Sequence, residues 1–265
     1  MGAPAEGASH DHASHGAPPP SWKLTSLSEG AVLLGNLGNV HRKVTTTNSQ
    51  AQAYFDQGLA LTYGFNHDEA ARSFAKAGAL DPTCALCFWG AAYTLGPNYN
   101  IPMLPDRAQA AWDALQRARA AAGAASPAEH DLIEALSKRY KGPEYLEPPA
   151  MQPYVEAYAA AMRTVAQAHP DDLDVQVLYA EAQMNVNPWR LYALDGTPAP
   201  GTLDAVHTLE SVLAAAPEHA GANHYYIHAV EASREPGKAL PSARRLGGLV
   251  PGAGHLVHMP AHIFQ

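Results

Sequence analysis

Two H-x-x-x-H segments stand 34 residues apart: His224/His228 in H-Y-Y-I-H and His258/His262 in H-M-P-A-H. An i, i+4 spacing puts both imidazoles of a pair on one face of a helix. Each neutral imidazole offers a nitrogen lone pair, and several that converge form a ligand set for zinc, copper, iron or nickel. Thirty-four residues is also the length of a helical-hairpin repeat, so the two pairs would occupy equivalent places on stacked helices. The chemistry implied is divalent transition-metal binding. With an open coordination position such a centre would be catalytic; without one it would store, carry or fold. A duplicated structural histidine would leave the same pattern. The protease motif H-E-x-x-H is absent here, because Tyr225 stands where its glutamate belongs.

The elements that must carry these histidines can be read from composition. Of 265 residues 47% are hydrophobic but only 8% aromatic, and alanine dominates. Alanine is the best helix former and lets helices approach closely, so the expected fold class is all-α. The net charge of −8 argues against a nucleic-acid partner. No stretch reaches the roughly 18 apolar residues of a membrane span, so no membrane insertion is expected. Residues 1–20 read as a disordered His/Pro/Ala-rich tail carrying His10, His12 and His15, three of the 14 histidines. The tail is not a signal peptide as written, though one could have preceded it. Glu6 also breaks the myristoylation pattern. The compartment therefore stays open between cytoplasmic and periplasmic or secreted.

Residues 21–48, with Gly30, Gly35 and Gly38, read as an irregular or partly stranded lead-in. From residue 49 the apolar periodicity is helical. Helices are expected at roughly 50–64, 67–80, 84–95, 106–123, 127–140, 150–169, 172–185, 202–216, 219–232, 236–249 and 253–264, punctuated by Pro and Gly. Pro260 lies inside the last. A helix starting near Val257 tolerates it, whereas one starting near Ala253 kinks there and re-aims His262.

The segment 54–82, Y-F-D-Q-G-L-A-L-T-Y-G-F-N-H-D-E-A-A-R-S-F-A-K-A-G-A-L-D-P, resembles a tetratricopeptide repeat. Gly58, Ala70, Phe74, Ala77 and Pro82 fall at that family's small, aromatic and closing-proline positions. An alanine also precedes each of Pro82, Pro217 and Pro251 by twelve residues (Ala70, Ala205, Ala239), whereas Pro170 has Tyr158 there. The resemblance covers 49–265, with the middle stretched by insertions near 97–105, 141–149 and 185–202. It implies a right-handed superhelical array of antiparallel helix pairs, an α-solenoid, whose uncapped last helix implies either a truncated array or a partner covering that end. By family geometry the concave groove would be lined by His224, His228, His255, His258, His262, Glu181 and Glu231 at one end. Trp89 and Tyr93 would line the other. The seven polar residues are the candidate metal ligands or their supports, with Glu181 or Glu231 as ligand, acceptor for an imidazole N–H, or general base.

Weaker signals remain. Cys84-x-x-Cys87 at a helix start could be a redox pair, a structural disulfide, or two buried small residues, and His67 could join it in a metal site. His67 also reads as a turn or capping residue. His130 and Glu134 form one further i, i+4 pair, and Asn98, Asn100 and Trp189 sit in loops at the groove rim. Two functions compete: a metalloprotein centred on the histidines, and a non-catalytic scaffold gripping a peptide or protein partner in the groove.

Overall fold

The computed structural model describes residues 22–264; the expected disordered tail, with His10, His12 and His15, lies outside them. Among the described residues the fold is all-helical. No strand forms, and one isolated antiparallel bridge joins Tyr192 and Pro198. The lead-in carries no strand either. Leu24–Glu29 is a short helix, α1, and the chain from residue 30 to residue 48 is irregular.

The helices then run α2 (Ser49–Tyr63), α3 (His67–Leu80), α4 (Ala85–Leu95), α5 (Ala108–Ala121), α6 (Pro127–Ser137), α7 (Pro148–Ala168), α8 (Leu173–Met184), α9 (Thr202–Ala215), α10 (Ala220–Val230), α11 (Leu240–Leu249), α12 (Gly254–His258) and α13 (Ala261–Phe264). Local chemistry starts several of them. The Asn48 side chain accepts from the Gln50 and Ala51 amides, and Asp172 accepts from Val175. Ser126 and Glu129 form a capping box. Each satisfies donors that the first helical turn leaves unpaired.

Successive helices pack on one another, and α2 on α4 and α8 on α10 meet as alternate neighbours. Small residues set these distances. A Cβ added at Gly58 or Gly90 would stand 2.8 or 2.4 Å from the Phe74 ring, so Phe74 fills a slot that only glycines leave between α2 and α4. The core runs continuously from Trp22 to Met259.

One contact brings distant parts of the chain together: α10 also packs on α2. At Gly221 a Cβ would lie 2.5 Å from the Tyr63 ring, so the missing side chain lets the end of α2 seat on α10. A polar knot ties the two. Tyr63 donates its hydroxyl to Asp174 (2.5 Å), and Arg42 binds Asp172 through two nitrogens (2.6 and 2.8 Å). His219 at the N-cap of α10 accepts from the Ala222 amide through Nδ1 and presents Nε2 to Asp174 at 3.3 Å. Burial opposes the charge on Asp174, but the hydrogen bond from His219 and the positive Arg42 outweigh it and hold its pKa below the ordinary value.

Candidate metal centre

The knot positions the first histidine pair. Tyr63 is the last residue of α2, and a helix C-terminus leaves carbonyls without intrahelical partners. The His224 Nδ1–H donates to the Tyr63 carbonyl at 2.6 Å. That fixes the tautomer and leaves the Nε2 lone pair free. One turn on, the His228 Nδ1–H donates to Glu231 Oε1 at 2.8 Å, and His228 Nε2 is buried with no partner at all. The two rings lie 4.9 Å apart, on one face of α10 as the i, i+4 spacing predicts.

The third member is His255, on α12. Its Nε2 stands 3.0 Å from His224 Nε2. One nitrogen from each of His224, His228 and His255 falls within 4.8 Å of the others, a group that could hold a metal ion. Two bonds of about 2.05 Å at a tetrahedral angle separate their nitrogens by roughly 3.3 Å, a spacing the His224–His255 pair approaches. Protonation does not compete strongly. Burial, with the neighbouring imidazoles, holds His224 well below the usual histidine pKa, and the same causes bring His255 down to about 4. Near neutral pH both are uncharged ligands.

The second H-x-x-x-H pair follows the kinked alternative, in which the helix starts near Ala253. The chain turns helical at Gly254, so Pro260 falls mid-helix and breaks it: α12 ends at His258 and α13 begins at Ala261. His258 and His262 face each other, Nε2 to Nε2, at 3.0 Å. Neither belongs to the converging trio; the broken helix carries them past it, and His255, one turn earlier, takes the place. His262 instead sends Nδ1 to Glu231 Oε2 at 2.5 Å. Glu231 thus accepts from two imidazoles, one on each oxygen. Its burial opposes ionisation, but the hydrogen bonds and charge of His228 and His262 prevail and lower its pKa.

Glu181 lies elsewhere in the interior. It accepts from the Tyr93 hydroxyl at 2.7 Å and from Asn185 Nδ2 at 2.5 Å. Burial raises its pKa despite those bonds and the nearby Arg139. It contributes no atom to the converging trio. Trp89 and Tyr93, expected to line an open groove, are each 2% exposed. Their rings stack at 5.1 Å, and Trp89 donates to the Leu132 carbonyl on α6. The Arg139 guanidinium, just past α6, lies 5.0 Å from the Tyr93 ring.

The other signals resolve plainly. Cys84 and Cys87 form a fully buried disulfide, which removes a Cys/His metal site with His67. His67 opens α3, buried, with no side-chain partner for either ring nitrogen, and burial drives its pKa to about 3. His130 is exposed near Asp131, and Glu134 pairs with Arg119.

Three aromatic residues around the centre had no signal in the spacing. Phe65 has φ 52° and Trp189 φ 61°, a left-handed conformation that bulky residues avoid. Phe65 follows Gly64, the C-cap of α2. Its amide bonds Thr62 O and the Asn66 amide bonds Leu61 O, a closing pattern that usually has glycine at this position. Phenylalanine there places a ring 4.5 Å from His224, 5.4 Å from His255 and 5.7 Å from His228. Trp189 and Tyr99 reach the far side of His228, at 6.1 and 5.2 Å. Backbone strain clustered at one set of side chains is a mark of a functional site. The G-F-N-H turn could have hinted at Phe65, since a glycine one position too early forces its neighbour to take the left-handed angle. No protein-family model, no curated protein and no solved structure matches the chain, so the reading of the centre rests on its own geometry.

Proposed function

We propose that this is a tetratricopeptide-like metalloprotein whose centre is a single divalent transition-metal ion held by His224, His228 and His255. The observation that carries the reading is the buried, unpartnered His228 Nε2 beside two other imidazoles whose pKa values are depressed. A buried ring nitrogen without a partner is costly, and a metal bond is one way to satisfy it. Glu231 and the Tyr63 carbonyl act as the outer supports that orient the ligating imidazoles. Three imidazoles leave a coordination position for water, dioxygen or a substrate, the pattern of catalytic rather than closed sites. Zinc, copper and iron all suit this ligand set. Neighbour-on-neighbour packing and the Gly58–Phe74 fit support tetratricopeptide-like helix hairpins, while the α2–α10 contact closes them on themselves rather than leaving an open array. The alternative, a scaffold gripping a partner peptide, has less support because Trp89 and Tyr93 are covered.

The test is elemental analysis of the full chain with His10, His12 and His15 replaced by glutamine, so that tail binding does not contribute. One equivalent of metal, lost in His228→Ala with the helical circular dichroism intact, is the expected result. No metal after loading with zinc, copper or iron would refute the reading.

A further inference from the structure

Imidazoles do not stop at the trio. The His262 ring lies 5.8 Å from that of His228, and the His258 ring 5.0 Å from that of His262. His255 stands between, 6.4 Å from His258 and 6.0 Å from His228. Exposure rises along the same path. His224 and His228 are 0% and 2% exposed, His255 and His262 are half-buried, and His258 is exposed. On other sides the trio meets the rings of Phe65 and Tyr99. Five imidazoles therefore make a continuous track from the surface to the buried centre.

The outer pair is arranged to offer lone pairs. His262 donates Nδ1–H to Glu231, so its Nε2 carries a lone pair. That nitrogen faces His258 Nε2 at 3.0 Å. His258 is exposed, so water can carry its proton to Nδ1 and free Nε2 as well. Two metal–nitrogen bonds of about 2.0 Å separate their nitrogens by roughly 2.8 Å at a right angle and roughly 3.3 Å at a tetrahedral one. The pair falls between these values, suited to copper(II) or zinc with water in the remaining positions. Glu231 places a negative charge one imidazole away, which favours an arriving dication.

We propose that His258 and His262 form a second, solvent-facing seat that captures a divalent transition-metal ion and passes it by way of His255 to the trio. The hand-over rests on the centre proposed above. Transfer is ligand exchange: one metal–imidazole bond breaks as the next forms, water fills the positions left open, and no electron moves. Two imidazoles hold an ion less tightly than three, so the seat empties into the centre and the isolated chain retains one ion. A seat on the route changes rates alone. Affinity is the ratio of release to capture, so losing the seat slows both by the same factor.

The experiment is stopped-flow mixing of the metal-free full chain, with His10, His12 and His15 replaced by glutamine, with copper(II). A second mixing extracts the bound ion with excess EDTA; tryptophan quenching follows both. His258→Ala should slow loading and extraction alike, by at least about tenfold, since even a group that only supports a ligand is worth 10–100-fold. His258→Phe keeps a ring but has no lone pair, and should be as slow. Calorimetric titration of His228→Ala, which lacks the centre, should still show weak copper(II) binding that a further His258→Ala removes. Wild-type loading rates in His258→Ala or His258→Phe, slowed loading without matching slowed extraction, or no His258-dependent binding in His228→Ala would each overturn the proposal. Failure of the centre looks different: wild-type chain that binds copper(II) only weakly, and no better than His228→Ala, has no centre to load, and the hand-over falls with it.

Discussion

The two H-x-x-x-H segments have the same spacing and meet opposite fates. On α10 the helix is unbroken, both rings are buried, and each Nδ1 is anchored, to a helix-terminal carbonyl or to Glu231. Between α12 and α13 the same spacing spans a break at Pro260, and the rings face each other near the surface. An i, i+4 spacing defines a shared face only while the helix is continuous. What makes a ligand is the spacing together with an acceptor that fixes the far nitrogen and a neighbour that excludes water. The α10 pair has both. Of the later segment His255, before the break, brings a nitrogen to the trio, while His262 reaches Glu231 and sets its ring 5.8 Å from that of His228.

That contrast can be broken most severely at its centre. His228→Ala and His255→Ala should each abolish stoichiometric metal, a loss of at least about a hundredfold in affinity, although only His228 belongs to an H-x-x-x-H pair. Metal titration of the two variants side by side reads it. Glu231→Gln keeps the shape but removes the charge that two imidazoles share; a drop of roughly 10–100-fold is expected from the same titration.

Acid gives a third comparison. Because His224 lies well below the ordinary value of 6.5 and His255 near 4, the lone pairs of these two rings stay unprotonated as pH falls through 6.5. These two ligands should hold metal through that range, with His255 protonated, and its bond lost, as pH approaches about 4. The sign holds for folding too. Rings kept neutral in the fold but free to charge when unfolded contribute full stability above 6.5, and that contribution declines as pH falls below it. Metal content against pH after dialysis checks the first statement, and chemical denaturation of metal-free protein the second.

Smaller effects belong to the broken segment. Pro260→Ala should let α12 and α13 join, since alanine is about 3 kcal/mol more favourable than proline in a helix interior. The His262–Glu231 hydrogen bond would then be lost, with a change of only a few-fold in metal affinity, visible in backbone chemical shifts across residues 254–264. Smallest of all, His258→Ala should shift affinity by less than about threefold, because that ring touches only His262 and the edge of His255.

Much of this was legible in the residues. Helix positions come from apolar periodicity and Pro/Gly punctuation, and all the long helices from α2 to α11 lie close to where the pattern puts them. The α10 pair was legible because its helix is regular. Three things were not. Helix α1 is too short and polar to show a periodicity. The closure of α2 onto α10 depends on Gly221 making room for Tyr63, a contact across 158 residues that no local pattern encodes. The aromatic contacts of Phe65 and Tyr99 come from a helix end and an inserted loop, where no spacing sets direction, whereas Trp189 was placed at the rim by its loop. Glu181 shows the opposite error: a repeat offset places it in the groove, but Tyr93 and Asn185 claim both its oxygens.

X-ray absorption at the edge of the bound metal counts the ligating imidazoles themselves, using the full chain with His10, His12 and His15 replaced. Three imidazole nitrogens at about 2.0–2.1 Å are expected, falling to two in His255→Ala and unchanged in His258→Ala. A centre that keeps its imidazole count in His255→Ala but loses one in His258→Ala would contradict a metal site built on His224, His228 and His255.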